Sequence, residues 1–480
     1  MSNAINRREF IGRMGAAAAP FAFMPMFSCG PKPNEKLNFV FILIDDLGWT
    51  DLGCYGSETY DTPNIDRLAS QGMKFTDAYA ACPVCSPTRA SIMTGKYPAR
   101  LHLTDWSPGY HYPETKLHRP EFHQHLPLGE VTIAEMFKTA GYATASIGKW
   151  HLGAEDHYPT DQGFDINVAG YETGGPPSYF YPYERPKSKT NPRIPTMTGG
   201  FEGEYLTDRL TDEAETFIET NKDAPFFLYL SHFSVHVPLQ AKEEYIKKYE
   251  ASIKPGAHQD NPVYAAMVQS TDESVGRVMD KLDDLELTDK TVVIFMSDNG
   301  GLVGTTGKWQ YATSNLPLRN GKGTAYEGGI REPMIVRWPG TVEPGSVCDV
   351  PVTSVDFYPT MLEIAGIPMP PEPAIDGTSI TPLLKDEGTV DRDALYWHYP
   401  HYHRLGAKPF GAVRFKDHKL IEYYEDSALE LYNLAEDIGE QHDLSGEMPE
   451  KTAQLRDMLH NWLKSVDAQM PTVNPEYKEG

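Results

Sequence analysis

The chain has 480 residues, 40% of them hydrophobic and 23% charged, and a formal net charge of -24. These values suit a globular protein with one large domain and a smaller one, and they exclude collagen-like, coiled-coil and disordered classes. The acidity excludes nucleic acid as a partner, since binding a phosphate backbone needs clustered Lys and Arg; it does not exclude a small anion, because surface charges beyond about 8 to 10 Å are screened at ordinary salt.

Residues 1–30 read as an export signal of the twin-arginine type: Arg7-Arg8 precede an apolar run over 16–27 that is too short to span a bilayer. Cys29 follows Met26-Phe27-Ser28 much as a lipobox cysteine does, which implies a lipid anchor. The expected location is the periplasm, or the outer membrane as a lipoprotein, of a Gram-negative-type bacterium. Five cysteines are too few for a disulfide scaffold. Apart from Cys29 and Cys85, one disulfide among Cys54, Cys82 and Cys348 can form, and its pairing is open.

From residue 39 to 44 the sequence is continuously apolar and then meets Asp45-Asp46. Such a run suits a strand buried on both faces of a parallel sheet, where ligands gather at the carboxyl ends of strands. The pattern recurs three times. A helix near 132–140 leads to a strand over 142–147 and then Gly148-Lys149-Trp150-His151. A helix near 207–220 leads to a strand over 225–230 and then His232 and His236. A long helix over 262–285 leads to a strand over 291–296 and then Asp298-Asn299-Gly300-Gly301. Alternating helix and apolar strand predicts an α/β fold with a large, mainly parallel sheet flanked by helices. Any one of these polar residues suits a cap or a solvated surface. Together, four strand ends bring Asp, Lys, His and Asn to one edge.

Residues 315–333 are too Gly-rich for a helix and predict an ordered loop around Lys322. A helix is expected over 352–365. Short alternating segments beyond it predict a C-terminal α+β subdomain with antiparallel strands and a final helix over 449–466. The expected division is a catalytic domain over 31–388 and the smaller subdomain over 389–480. Two segments rich in aromatics and histidines, 101–128 (Trp106, Tyr110, His111, His118, His123, His125) and 304–315 (Trp309, Tyr311), are candidates for substrate contact.

The most chemically specific run is Cys85-Ser86-Pro87-Thr88-Arg89 with Thr94-Gly95 beyond it. Pro87 suits the first turn of a helix, which puts Cys85 at a helix mouth where N–H groups and the dipole favour an anion. Alone, such a cysteine is more often buried and structural. The run, however, resembles the signature of the type I sulfatases in the alkaline phosphatase superfamily. Their cysteine is oxidised to formylglycine by a separate maturation enzyme. The loop around Lys322 is similar to the sulfatase lysine loop, and Leu429-Glu430-Leu431-Tyr432-Asn433-Leu434 to the C-terminal subdomain of the same family.

The resemblance implies an alkaline phosphatase-like fold and a sulfuric ester hydrolase. It implies one divalent cation, generally Ca²⁺ with Mg²⁺ as the alternative, on Asp45, Asp46, Asp298, Asn299 and the modified Cys85. Hard oxygen donors are consistent with either ion. It further implies that Arg89 and Lys149 hold the aldehyde hydrate and His151 acts on it as base. Lys322 and His236 would contact the sulfate, His236 also protonating the leaving alcohol, with His232 a weaker candidate. The substrate expected by analogy is an O-sulfated carbohydrate, of galactose or hexosamine type, from a host or algal glycan. The alternatives are a phosphodiester or phosphonate monoester hydrolase of the same superfamily and a non-catalytic protein that binds sulfated glycans.

Overall fold

The computed structural model describes residues 36–303, 312–370 and 374–478. The export segment with Cys29, and the stretch carrying Trp309 and Tyr311, lie outside the described residues. The architecture follows from one strand, β1 (Asn38–Ile44), buried along its whole length. Its side chains alternate between two cores, as a period of two requires. Val40, Ile42 and Ile44 enter one, and Phe39, Phe41 and Leu43 the other.

Eight more strands complete a mixed sheet: β2 (Met73–Tyr79), β3 (Ala143–Gly148), β4 (Ile166–Val168), β5 (Phe226–Ser231), β6 (Thr291–Ser297), β7 (Arg331–Arg337), β8 (Ser346–Cys348) and β9 (Val352–Thr353). The order is β9-β2-β7-β6-β1-β5-β3-β4, with β8 also on β2. Pairings are parallel except that β7 runs antiparallel to β2 and β6. The expected mainly parallel α/β sheet is present. Helices α1 (Pro63–Gln71), α2 (Cys85–Thr94), α3 (Ile133–Thr139), α4 (Leu206–Thr220), α5 (Glu243–Ser252), α6 (Pro262–Asp284) and α7 (Phe357–Ala365) flank it. Residues from α1, α4 and α6 pack in the Val40 core, and residues from α2, α3 and α7 in the Phe39 core.

Two elements differ from the sequence expectation. The Gly-rich run ends in a helical turn, Glu327–Ile330, and then becomes β7, whose charged end is buried by pairing Arg331 with Glu327 and Asp77. The helix expected from residue 352 begins at Phe357: Val352–Thr353 pair with the edge of β2, and Asp356 turns back to accept the Thr353 N–H at 2.9 Å. All four described cysteines are free thiols, so the disulfide left open among Cys54, Cys82 and Cys348 is not formed.

The C-terminal region is an antiparallel meander of β10 (Leu395–Tyr399), β11 (Phe410–Phe415), β12 (His418–Tyr423) and β13 (Leu429–Asn433), covered on one face by α8 (Pro449–Ser465). Its other face packs on Tyr79, Cys82, Val84, Ala325, Tyr326 and Ile330. The Trp397 Nε1–H donates to the Ala80 carbonyl at 2.8 Å. Lys419, wholly buried, lies 2.7 Å from Glu327 and 2.6 Å from Glu440. The small sheet thus clamps both the cysteine stretch and the Gly-rich loop. Removing the central cation of a buried cluster leaves carboxylates uncompensated, at a cost of about 3 to 5 kcal/mol. Lys419→Met is expected to lower stability by that amount in urea denaturation. An unchanged midpoint would show that this cluster does not hold the two sheets together.

Candidate active site

Register puts the polar residues together. Leu43 lies opposite Ser231 and Ile44 opposite Ser297, while Gly148 pairs with Ser231. The residues that follow these strands therefore emerge at one edge. Backbone bonds continue the ladder there, from Asp45 N–H to the Ser234 carbonyl, from Asp298 N–H to Ile44 and from Lys149 N–H to Ser231.

Cys85 is the first residue of α2, a helix buried over all ten residues. Its Sγ is 3.6 Å from Asp45 Oδ1 and 3.2 Å from Lys322 Nζ. Three carboxylates beside it are each matched by a cation. Lys149 Nζ is 2.7 Å from Asp45, Arg89 donates to Asp298 at 2.7 and 2.9 Å, and Lys322 donates to Asp46. Arg89 also donates to the Lys149 carbonyl and to Ser231 Oγ. Asn299 Nδ2 donates to Asp46 at 2.8 Å, whereas its Oδ1 is buried with no protein partner.

The histidines divide by tautomer. His151 Nε2 is 3.0 Å from the Ser107 carbonyl, which can only accept, so Nε2 carries the proton and the buried, unpartnered Nδ1 presents a lone pair. His236 is the reverse: Nδ1–H donates to the Val237 carbonyl at 2.7 Å, and Nε2 faces Asp46 at 3.8 Å. His232 is not brought to this cluster. Its Nε2 lies 2.9 Å from Ser274 Oγ on α6, so its side chain turns into a hydroxyl network behind the sheet.

Electrostatics follow from burial. Burial, opposed by Lys149 and reinforced by Asp298 and Asp46, pushes Asp45 up to about 8. Burial acts the same way on Asp46 but is outweighed by Lys322, His236 and Lys149, which hold it well below the usual carboxylate range. Burial also pushes the Cys85 thiol up to about 11 despite Lys149 and Lys322, and a protonated thiol is a weak nucleophile. His236 is pushed down to about 3, chiefly by burial.

The residues fit a hard divalent cation. Ligand atoms of Asp45, Asp46, Cys85 and His236 lie within 4.8 Å of one another. The orphaned amide oxygen of Asn299 and a carboxyl that burial hinders from ionising are both relieved by a cation that prefers oxygen.

Sequence reasoning missed several neighbours. Ser107 and Ser231 orient His151 and Arg89. A Cβ on Gly174 would lie 2.4 Å from the His151 ring and one on Gly175 2.9 Å from His236, so this Gly-Gly pair lets both rings pack beneath it. The run Gly174-Gly175-Pro176-Pro177 was the available signal. Of the candidate substrate residues, Trp106 sits with its ring centroid 6.5 Å from His151 and 4.9 Å from Tyr110, while His125 packs on His157 and His123 on His102.

Comparison with known proteins agrees with this geometry. The sulfatase family model matches residues 37–367, and that of the C-terminal part of N-sulphoglucosamine sulphohydrolase matches residues 321–469. A sulfatase of Formosa agariphila is 34% identical over 90% of this chain and 89% of its own length. Human steryl-sulfatase is 32% identical over 76% of this chain and 72% of its own, and human N-acetylgalactosamine-6-sulfatase 34% over 77% and 69%. The crystal structure of Ps i-CgsB in complex with k-i-k-neocarrahexaose superposes with a TM-score of 0.78 at 31% identity, covering 93% of this chain and 95% of that one. The chain therefore belongs to the sulfatase family, enzymes that hydrolyse sulfate esters.

Proposed function

We propose that this sulfatase removes sulfate from O-sulfated carbohydrate, using residue 85 as a formylglycine hydrate beside one divalent cation. The observation that carries the reading is the position of Cys85, at the first turn of a buried helix and in contact with both Asp45 and Lys322. The carbohydrate follows the named activity of N-acetylgalactosamine-6-sulfatase and the glycan bound to Ps i-CgsB. A formylglycine-generating enzyme is the implied partner. The signal over residues 1–30 supports action outside the cytoplasm, with Cys29 as a lipid attachment point.

As an aldehyde hydrate, residue 85 supplies two hydroxyls: one takes the sulfuryl group from the ester, and loss of the proton from the other releases sulfate and restores the aldehyde. Asp45, Asp46, Asp298, Asn299 and residue 85 would hold the cation, Ca²⁺ or Mg²⁺, which supplies positive charge beside the reacting group. His236 gives a proton to the departing alcohol. To do so it must be protonated at Nε2, and an anionic ester beside it favours the imidazolium against the effect of burial. His151, with its lone pair on Nδ1, takes the proton of the second hydroxyl. Lys322 turns from Asp46 toward the sulfate oxygens, while Arg89 and Lys149 hold residue 85 and the carboxylates in place.

Matched aryl esters separate this reading from a phosphoester hydrolase: sulfate release is expected to exceed phosphate release by at least about tenfold, and faster phosphate release would overturn it. Cys85→Ala is expected to lower turnover by about three orders of magnitude or more while substrate binding persists. In the native enzyme co-expressed with its maturation partner, peptide mass should show an aldehyde at residue 85; near-normal turnover by the Ala variant would refute the nucleophile. Dialysis against a chelator is expected to abolish activity and lower the melting temperature, and Ca²⁺ at about 100 times its Kd should restore about 2.7 kcal/mol. Unchanged melting and activity would contradict the cation.

A further inference from the structure

A cavity of about 460 Å³ opens between the Gly-rich loop and the small sheet. Lys322 belongs to its wall and also reaches residue 85, so the cavity begins one side chain away from the reacting group. We propose that it is a subsite for a second, uncharged sugar, the neighbour of the sulfated residue in an oligosaccharide. The inference rests on the carbohydrate reading above and adds to it the length of the substrate and the charge of its second unit.

Size is the first argument: ligand cavities range over about 300 to 1,000 Å³, and this one falls inside that range without counting the space at residue 85. Composition is the second. Half-buried Tyr423 offers an aromatic surface to the C–H face of a sugar, and the largely buried Tyr326 and Phe410 complete that wall. The two tyrosines are tied into one unit, Tyr423 donating to Tyr326 at 3.0 Å and Tyr326 donating to Glu430 at 2.8 Å, so this wall is rigid before any ligand arrives. Glu430 and Asp426 offer carboxylate oxygens to hydroxyl groups.

Charge is the third argument and sets the selectivity. Both cations in the wall are already engaged: Lys322 pairs with Asp46 and, with substrate bound, turns to the sulfate at residue 85, while Lys408 lies 2.6 Å from Glu425 and 3.5 Å from Asp426. A sulfate or carboxylate on the second sugar would meet Asp426 and Glu430 and have to draw Lys408 off its carboxylates or compete with the reacting sulfate for Lys322. A neutral ring meets no such cost. The mouth, at Gly406, Lys408, Asp426 and Ala428, is exposed to solvent, so a glycan can continue outward.

Calorimetry on the Cys85→Ala chain tests this with three probes: galactose 4-sulfate, neocarrabiose 4-sulfate, whose second sugar is neutral, and the neocarrabiose that bears a further sulfate on that second sugar. Neocarrabiose 4-sulfate is expected to bind at least about tenfold more tightly than galactose 4-sulfate, and the extra sulfate to remove most of that gain. Ala428→Trp, from an exposed loop position, and Ala407→Trp, from a second lining position, fill the cavity. Each should abolish the gain and leave galactose 4-sulfate within about twofold. The subsite is overturned if the second sugar brings no gain, if the gain is indifferent to the extra sulfate, or if it survives both tryptophans. Sulfate release is measured separately on the matured enzyme. Release with a flat affinity series sinks the subsite alone, and failure to release sulfate from any sulfated saccharide sinks the carbohydrate reading itself.

Discussion

The site depends on a balance of buried charge. Asp45, Asp46 and Asp298 lie within a protein interior that would not tolerate them alone, and Lys149, Lys322 and Arg89 neutralise them one for one. The six residues come from three strand ends, one helix and one loop, so none of these segments can be displaced without leaving a buried charge unpaired. The balance also explains how a chain of net charge -24 can receive an anion. With three carboxylates already offset by three side chains, a divalent cation held beside them would leave the centre positive, and at contact distances inside the protein that local charge would outweigh a screened acidic surface.

The loop that brings Lys322 has no regular structure, and its position is imposed from outside. Asn315 Nδ2 lies 3.0 to 3.1 Å from the carbonyls of Gly301, Asn320 and Gly328, Arg319 lies 3.9 Å over the Tyr326 ring, and the small sheet closes over the far end through Lys419 and Glu327. The C-terminal region thus helps to fix Lys322 in place, since a lysine on a loose loop would spend little time against residue 85.

Where the sequence was legible, a strand buried on both faces wrote itself as an unbroken apolar run, as over 39–44 and 291–296, and its end was marked by the first charged residue. The candidate site was legible for the same reason, because metal-type and cationic residues stood at those ends. β7 was not legible. It carries Arg331, Glu332 and Arg337 in a wholly buried strand, and only tertiary pairing with Glu327 and Asp77 makes Arg331 compatible with a sheet. His232 and His236 follow one strand and look alike in sequence. The first is still bonded to the β1 ladder and turns toward Ser274, and only the second lies past the turn that reaches Asp46.

The two imidazoles beside residue 85 are distinguished by backbone carbonyls rather than by residue type. Ser107 fixes the proton of His151 on Nε2, and Val237 fixes that of His236 on Nδ1, so the two imidazoles offer opposite nitrogens. Both rings lie under adjacent glycines, Gly174 and Gly175, in contacts too close for any Cβ. One short segment therefore sets the position of both histidines at once. A side chain at Gly174 meets the His151 ring before any of the paired charges, so the placement of this imidazole is set by a different segment from the charge balance around residue 85.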